Sequence, residues 1–310
     1  MSIGHLIEMP NGDRLFFDDS LDEEGEPKHD YYAARPAKLL KDGVTFAKPD
    51  RDRNVDGWCR SKRLTGVTSV VKPLDFRPDK LMRWAVRLTL EGVAELASTA
   101  ITADDEHLES WMCTGEVLAQ ALQDAGLTWQ QIRDQRGVVG TNVHERTLQA
   151  LASGEAVPDY EGLTEEEKGY SAGIVQFWLD HAPKVHQVEQ VVYLARLGVA
   201  GRFDLRAELA KCDAPLCPCQ QGGTGMIDAK TGSYISEGAH AQVAGYKGMA
   251  AECGFGESGW GGILQVDAEG GYRLFNTEAT FEDFEVSVDT YRRASKIGSK
   301  ARKAREERDG

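Results

Sequence analysis

An acid and a lysine stand two residues apart in the run Ile227-Asp228-Ala229-Lys230-Thr231. Extended backbone alternates faces residue by residue, so this spacing aims Asp228 and Lys230 one way and Ala229 the other. Apolar Met226 and Ile227 come just before them, and charges on such a strand must be paired or hold a metal, because burying a lone charge is costly. Upstream, Glu189 and Asp204 fall in two alternating runs, 186–194 and 199–205, joined through Gly198. A hairpin turning at Leu197 and Gly198 sets Asp204 opposite Val191 and on the same sheet face as Glu189. Carboxylates gathered this way are hard oxygen ligands for Mg2+ or Mn2+, which polarise a phosphoryl oxygen, lower the pKa of an attacking water and stabilise the leaving oxygen. Lys230 would orient that water and offset phosphate charge, so the chemistry suggested is phosphodiester hydrolysis. The same spacing also suits a salt bridge of Lys230 with Asp228 or Asp204 on an exposed sheet face.

The elements that must position these residues are a helical half followed by a mixed half. Pro78, Leu81, Trp84, Ala85 and Leu88 have helical spacing, and Leu108, Trp111, Met112, Leu118, Ala121 and Leu122 suggest another helix or pair. Asn142 with Glu145 resembles a capping box opening a helix through Ala152; Thr164 with Glu167 opens the next, which Pro183 stops. Beyond the first hairpin a strand is expected over 225–231, a helix over 236–253, a hairpin over 260–275 around Gly270 and Gly271, and a last helix from Thr280. The fold class is therefore mixed α/β, without internal repeats.

Five short motifs lie in register along this plan. Gly66-Val-Thr-Ser, with Leu81 to Ala85 and Glu91, is followed by Gly140-Thr-Asn-Val-His144-Glu. Then come Glu189 with Gly201-Arg-Phe-Asp204, the run Ile227-Asp-Ala-Lys-Thr-Gly232, and Gln242-Val-Ala-Gly-Tyr246. Together they resemble the PD-(D/E)XK nuclease superfamily, in its RecB-like exonuclease branch as found in phages. The resemblance implies a restriction-endonuclease-like core, a central mixed sheet flanked by helices, here behind a helical N-terminal half. It implies His144, Asp204, Asp228 and the carbonyl of Ala229 as metal ligands, Lys230 as catalytic, and Glu189 as support. Gln242 and Tyr246 would contact DNA or the active site. On spacing alone Gln242 and Tyr246 equally make a surface i, i+4 pair, and His144 a satisfied or exposed histidine.

The step from Asp204 to Asp228 departs from that pattern, because it contains Cys212, Cys217 and Cys219. Three thiols this close fall one ligand short of a tetrahedral zinc site. The iron–sulfur cluster of some RecB-like relatives draws on four cysteines, one upstream and three downstream of the core, whereas these lie inside it. A hairpin insertion without metal is the expectation. The glycine-rich run from Gly222 departs from a phosphate-binding loop at Thr224 and Ala229, where that motif requires glycine.

Composition narrows the classes. With 50 acidic against 36 basic residues in 310, a net charge of −14 argues against nonspecific coating of nucleic acid, so any DNA contact must be local. No apolar run reaches membrane-span length, the first residues lack a secretory signal, and six scattered cysteines fit a reducing compartment. A cytoplasmic protein, in a host's cytoplasm if phage-encoded, is expected. Three regions are anticipated: an acidic segment 1–60 with a solvated arm from Asp13 to Asp30, a nuclease domain 61–290, and a basic tail 291–310. That tail carries Arg292, Arg293, Lys296, Lys300, Arg302, Lys303, Arg305 and Arg308, fit for local phosphate contact or for a solvated helix end. The leading expectation is a metal-dependent DNA exonuclease of phage recombination, replication or repair, working on DNA with a single-strand annealing or recombination partner. A structure-specific endonuclease on the same core, or an inactive DNA-binding or protein-interaction module, are the alternatives.

Overall fold

The computed structural model describes residues 5–21, 28–38, 54–75, 78–102, 115–154, 160–232 and 234–309. Its strands are β1 (His5–Glu8), β2 (Arg14–Asp18), β3 (Asp30–Pro36), β4 (Asn54–Val55), β5 (Trp58–Arg63), β6 (Thr65–Gly66), β7 (Lys184–Leu194), β8 (Val199–Glu208), β9 (Thr224–Thr231), β10 (Trp260–Val266) and β11 (Tyr272–Asn276). Its α-helices are α1 (Val67–Val71), α2 (Pro78–Thr102), α3 (Gly115–Asp124), α4 (Trp129–Val143), α5 (Gln149–Ala152), α6 (Glu165–His181), α7 (Glu237–Glu252) and α8 (Phe281–Asp309). The chain forms two compact units, one of Met1–Asp75 with Thr147–Gly310 and one of Phe76–Arg146.

The first unit begins with a five-stranded antiparallel sheet in the order β1-β2-β3-β5-β4, where no strand is expected from the sequence; the helices expected from Pro78 to Pro183 follow it as α2 to α6. The sheet corrects the reading of a solvated arm at residues 13–18 and 30, since Leu15, Phe16 and Phe17 of β2 and Tyr31 of β3 are buried, while residues 22–27 of that arm lie outside the described residues. Acid content masked this short apolar run, and two of its acids are neutralised locally. Asp18 pairs with Arg60 at 3.0 Å and Asp30 pairs with Arg63.

The second sheet of this unit is mixed, in the order β11-β10-β9-β8, with β7 and β6 both on β8. Strand β8 runs antiparallel to β7 and β9, while β9 and β10 are parallel. A parallel pair needs a crossover, and α7 supplies it, started by Ser236 Oγ accepting the Ala239 N–H at 3.2 Å. The helix buries Ala239, Ala241, Val243, Tyr246 and Met249 in one core with Val191, Phe203 and Ile263 of the sheet. Phe284 and Val288 of α8 join that core, after which the helix runs on exposed through its basic residues to Arg308. The tail is thus a continuous helix end in form.

The β7–β8 hairpin differs from expectation in its turn. Ala195–Leu197 make a 3-10 turn closed by Gly198 in the left-handed region (φ 55°), so the loop has four residues, and Val191 pairs with Arg202 instead of Asp204. The register moves by two, an even slip that leaves every side chain on its expected face.

Helix boundaries also part from expectation at one place. Thr128 and Gln131 form the true capping box, and α4 runs straight through Asn142 before passing into a π turn at His144–Leu148. With both cap donors already satisfied at Thr128, nothing restarts the helix at Asn142. The box at Thr164 and Glu167 is present, and α6 ends at Ala182 in the left-handed region, just before Pro183. Leu108, Trp111 and Met112 lie outside the described residues; Leu122 of α3 is buried in the second unit, as is Leu88 of α2. Among the described residues no helix is long and apolar enough to cross a membrane.

Candidate functional site

Three carboxylates stand in a row across β7, β8 and β9. Between the pairs Val188–Leu205 and Gln190–Phe203, Glu189 is level with Asp204, and one carboxylate oxygen of each lies within 4.8 Å of the other. One step beyond the last β8–β9 pair, Leu205–Ile227, Asp204 is level with Asp228. The backbone ladder stops there, and Asp204 Oδ2 takes over by accepting the Ala229 N–H at 2.7 Å. Asp228 is 1% exposed and Asp204 8%.

Lys230, two residues along β9, places Nζ 2.6 Å from Asp228 Oδ2. The pair has one buried carboxylate and one partly exposed amine, so it is not the exposed surface bridge that spacing also allowed. Arg202, two residues before Asp204 on β8, sets Nε 2.9 Å from Glu189 Oε2. Glu189 itself sits at φ 47°, a conformation that costs a non-glycine residue about 1–2 kcal/mol. Strain at a residue level with Asp204 marks the place where strand geometry is given up to aim a carboxylate.

Gln242 and Tyr246 come from α7, which crosses over this sheet between β9 and β10. Both are buried, with Gln242 Nε2 3.5 Å from Tyr246 Oη, so their pairing is interior. Burial pushes the Tyr246 phenol well above its ordinary pKa; charges on Asp228, Tyr31 and Asp204 add to the rise, and Gln242 opposes it. Tyr246 is therefore neutral, and its hydroxyl accepts from Gln242. Its ring needs Gly201, where a Cβ would lie 2.8 Å from Tyr246 Cε1 and 2.8 Å from Val67 Cγ2. A cavity of about 310 Å³ opens here, lined by Tyr31, Thr68, Ser69, Gly201, Arg202 and Tyr246 among others. It brings the Val-Thr-Ser segment of α1 to the same place as Arg202.

His144 belongs to the second unit, where it follows α4 as the first residue of the π turn and gives its backbone N–H to the carbonyls of Gly140 and Thr141. Arg202 is the functional candidate that sequence reasoning passed over. Its signal was available, because positions 202 and 204 share a strand face.

The donor set fits a hard divalent cation. Glu189, Asp204 and Asp228 offer only carboxylate oxygens, and three negative side chains face two cations, Arg202 and Lys230, leaving a net negative site. Soft ligands are absent from this row. No family model matches the chain, and no curated protein matches it.

Proposed function

We propose that the chain is a metal-dependent deoxyribonuclease with a restriction-endonuclease-like core, a PD-(D/E)XK enzyme of the RecB-like exonuclease branch. The observation that carries this reading is the row of Glu189, Asp204 and Asp228 on three adjacent strands, with Lys230 at its end. Asp204, Asp228 and the Ala229 carbonyl would hold Mg2+ or Mn2+. The ion supplies charge neutralisation and an acidified water at the scissile phosphate.

The chain's own residues do the rest. Lys230 holds a proton-bearing amine beside Asp228, where it would orient the attacking water and offset negative charge developing at phosphorus. Glu189, tied by Arg202, supports the position of Asp204. Tyr246, and Gln242 behind it, would meet the nucleic acid through the cavity that Tyr246 lines. The work served would be phage DNA recombination, replication or repair, in a cytoplasm and beside a single-strand annealing or recombination protein.

A digest of end-labelled linear DNA beside closed circular DNA, each with Mg2+ or Mn2+, tests the proposal. Shortening of the linear strand from its ends with survival of the circle is expected. Cutting of the circle would move the reading to an endonuclease on the same core. Neither substrate cut by a folded chain with either ion would remove the enzyme.

A further inference from the structure

We propose that His181, Cys212, Cys217 and Cys219 form a structural zinc site, stapling the end of α6 to the connection between β8 and β9. The proposal is independent of the nuclease reading and uses none of its residues. One ligand atom from each of the four side chains lies within 4.8 Å of the other three. Around one tetrahedral ion, with Zn–S of about 2.3 Å and Zn–N of about 2.0 Å, ligand atoms stand roughly 3.4–3.8 Å apart. Cys212 Sγ and Cys219 Sγ are already 3.6 Å apart.

The fourth ligand, which three neighbouring cysteines lack by themselves, arrives from the last residue of a helix 31 positions before Cys212. His181 is 1% exposed and Cys219 is fully buried. The imidazole is held from three sides. Phe177 lies 5.1 Å away, Tyr272 meets it edge-on at 6.0 Å, and Nδ1 is 3.3 Å from the Ala210 carbonyl. Donation from Nδ1–H to that carbonyl fixes the tautomer and leaves the lone pair on Nε2, the arrangement found for metal-bound histidines. The two segments are also joined by the Ala210 N–H on the His181 carbonyl at 2.7 Å. The Cys212 N–H points at Cys219 Sγ at 3.4 Å, a contact that favours a thiolate.

Three sulfurs and a nitrogen select a borderline-soft ion and reject Mg2+, so the site does not compete with the carboxylate row. In a four-iron cluster each thiolate binds a different iron, so the sulfurs stand farther apart than the ligands of one ion. A Cys212–Cys219 disulfide would leave Cys217 and His181 unused. The zinc would lock the loop between the strand of Asp204 and the strand of Asp228, and so hold their register.

The full chain, produced with zinc in the medium and purified without chelator, should carry about one zinc by mass spectrometric metal analysis. Cys212, Cys217 and Cys219 should resist a thiol reagent until a chelator is added. Cobalt exchanged into the site should give the visible bands and thiolate charge transfer of an ion held tetrahedrally by three sulfurs and one nitrogen. Cys217→Ser, at the half-buried cysteine, should lower zinc content at least several-fold and the urea midpoint with it. The proposal is overturned by a folded chain without zinc whose three thiols react freely with zinc present, by iron in place of zinc, or by unchanged zinc in Cys217→Ser. The wild-type thiol and cobalt measurements stand even where the variant does not fold.

Discussion

Asp204 Oδ2 accepts the backbone N–H of Ala229 at 2.7 Å, so a side chain completes the hydrogen bonding of β8 and β9 at the level where their ladder ends. Two strands that separate there leave room between carboxylates, and the acid that bridges the gap is one of them. This double duty makes Asp204 the position where structural and functional roles can be separated by chemistry.

An Asp204→Asn chain keeps an oxygen that can accept from Ala229, so its stability should stay within about 1 kcal/mol of the parent. Asp204→Ala leaves that amide unsatisfied next to buried Asp228 and should cost about 1–3 kcal/mol. Both should lose Mn2+ affinity and DNA cleavage. Urea unfolding beside calorimetric Mn2+ titration reads the two effects; an Asn variant that cuts DNA at the parental rate would remove Asp204 from the metal site.

Asp228→Asn and Lys230→Ala should both abolish cleavage yet differ in metal binding. The amide of Asn is a much weaker ligand than a carboxylate, so the first change should reduce Mn2+ affinity along with turnover. Lys230 acts on the water and the phosphoryl charge, so its loss should lower single-turnover rates by ~10² or more with metal binding nearly intact. Dialysis into metal-free buffer should stop the parent enzyme, and Mg2+ or Mn2+ should restore it. A Lys230→Ala chain with full activity would leave the 2.6 Å contact with Asp228 as an ion pair and nothing more.

Gly201→Ala should destabilise the chain by about 1–3 kcal/mol, the usual range for overpacking. The added methyl would press on the Tyr246 ring and on Val67, both fixed in the core, at 2.8 Å. Because Tyr246 lines the cavity beside Arg202, DNA affinity should fall with stability. Thermal unfolding at the parental temperature would show that the ring can yield.

What the sequence disclosed depended on how local each signal was. Strand alternation placed Asp228 and Lys230 on one face, and β9 has them so. Register was less legible, because the 3-10 turn before Gly198 adds residues that no alternation pattern reveals, and Asp204 came level with Glu189 instead of Val191. The N-terminal sheet escaped notice because its strands are short and eight acids crowd residues 13–30, hiding the buried run Leu15 to Phe17. His181 could not be joined to the cysteines from spacing, since helix end and loop meet only through tertiary structure. Gly201 had a signal in its motif but no reason until Tyr246 was seen against it.

The basic helix end gives the last prediction. From Arg293 onward α8 is exposed, with Lys296, Lys300 and Arg305 on its surface and Arg302 and Lys303 near acids one turn on, at 3.9 Å from Glu306 and 4.0 Å from Glu307. Such exposed i, i+4 pairs contribute little stability, so removing residues 294–310 should leave the unfolding midpoint almost unchanged. Arg292 must stay, because it donates to the Leu197 carbonyl in the β7–β8 turn and so belongs to the fold. In a chain of net charge −14, a cationic stretch is where phosphates can be met without crossing a repulsive field. Every phosphate that the helix end no longer neutralises makes the slope of log affinity against log salt shallower by about 0.7–0.9. The truncated chain should therefore bind DNA several-fold more weakly at low salt, with a shallower salt dependence, and cut at the parental rate once DNA is saturating. Equal affinity for DNA at every salt concentration would leave the helix end as a solvated surface, and an equal loss in saturated turnover would place it in the catalytic unit.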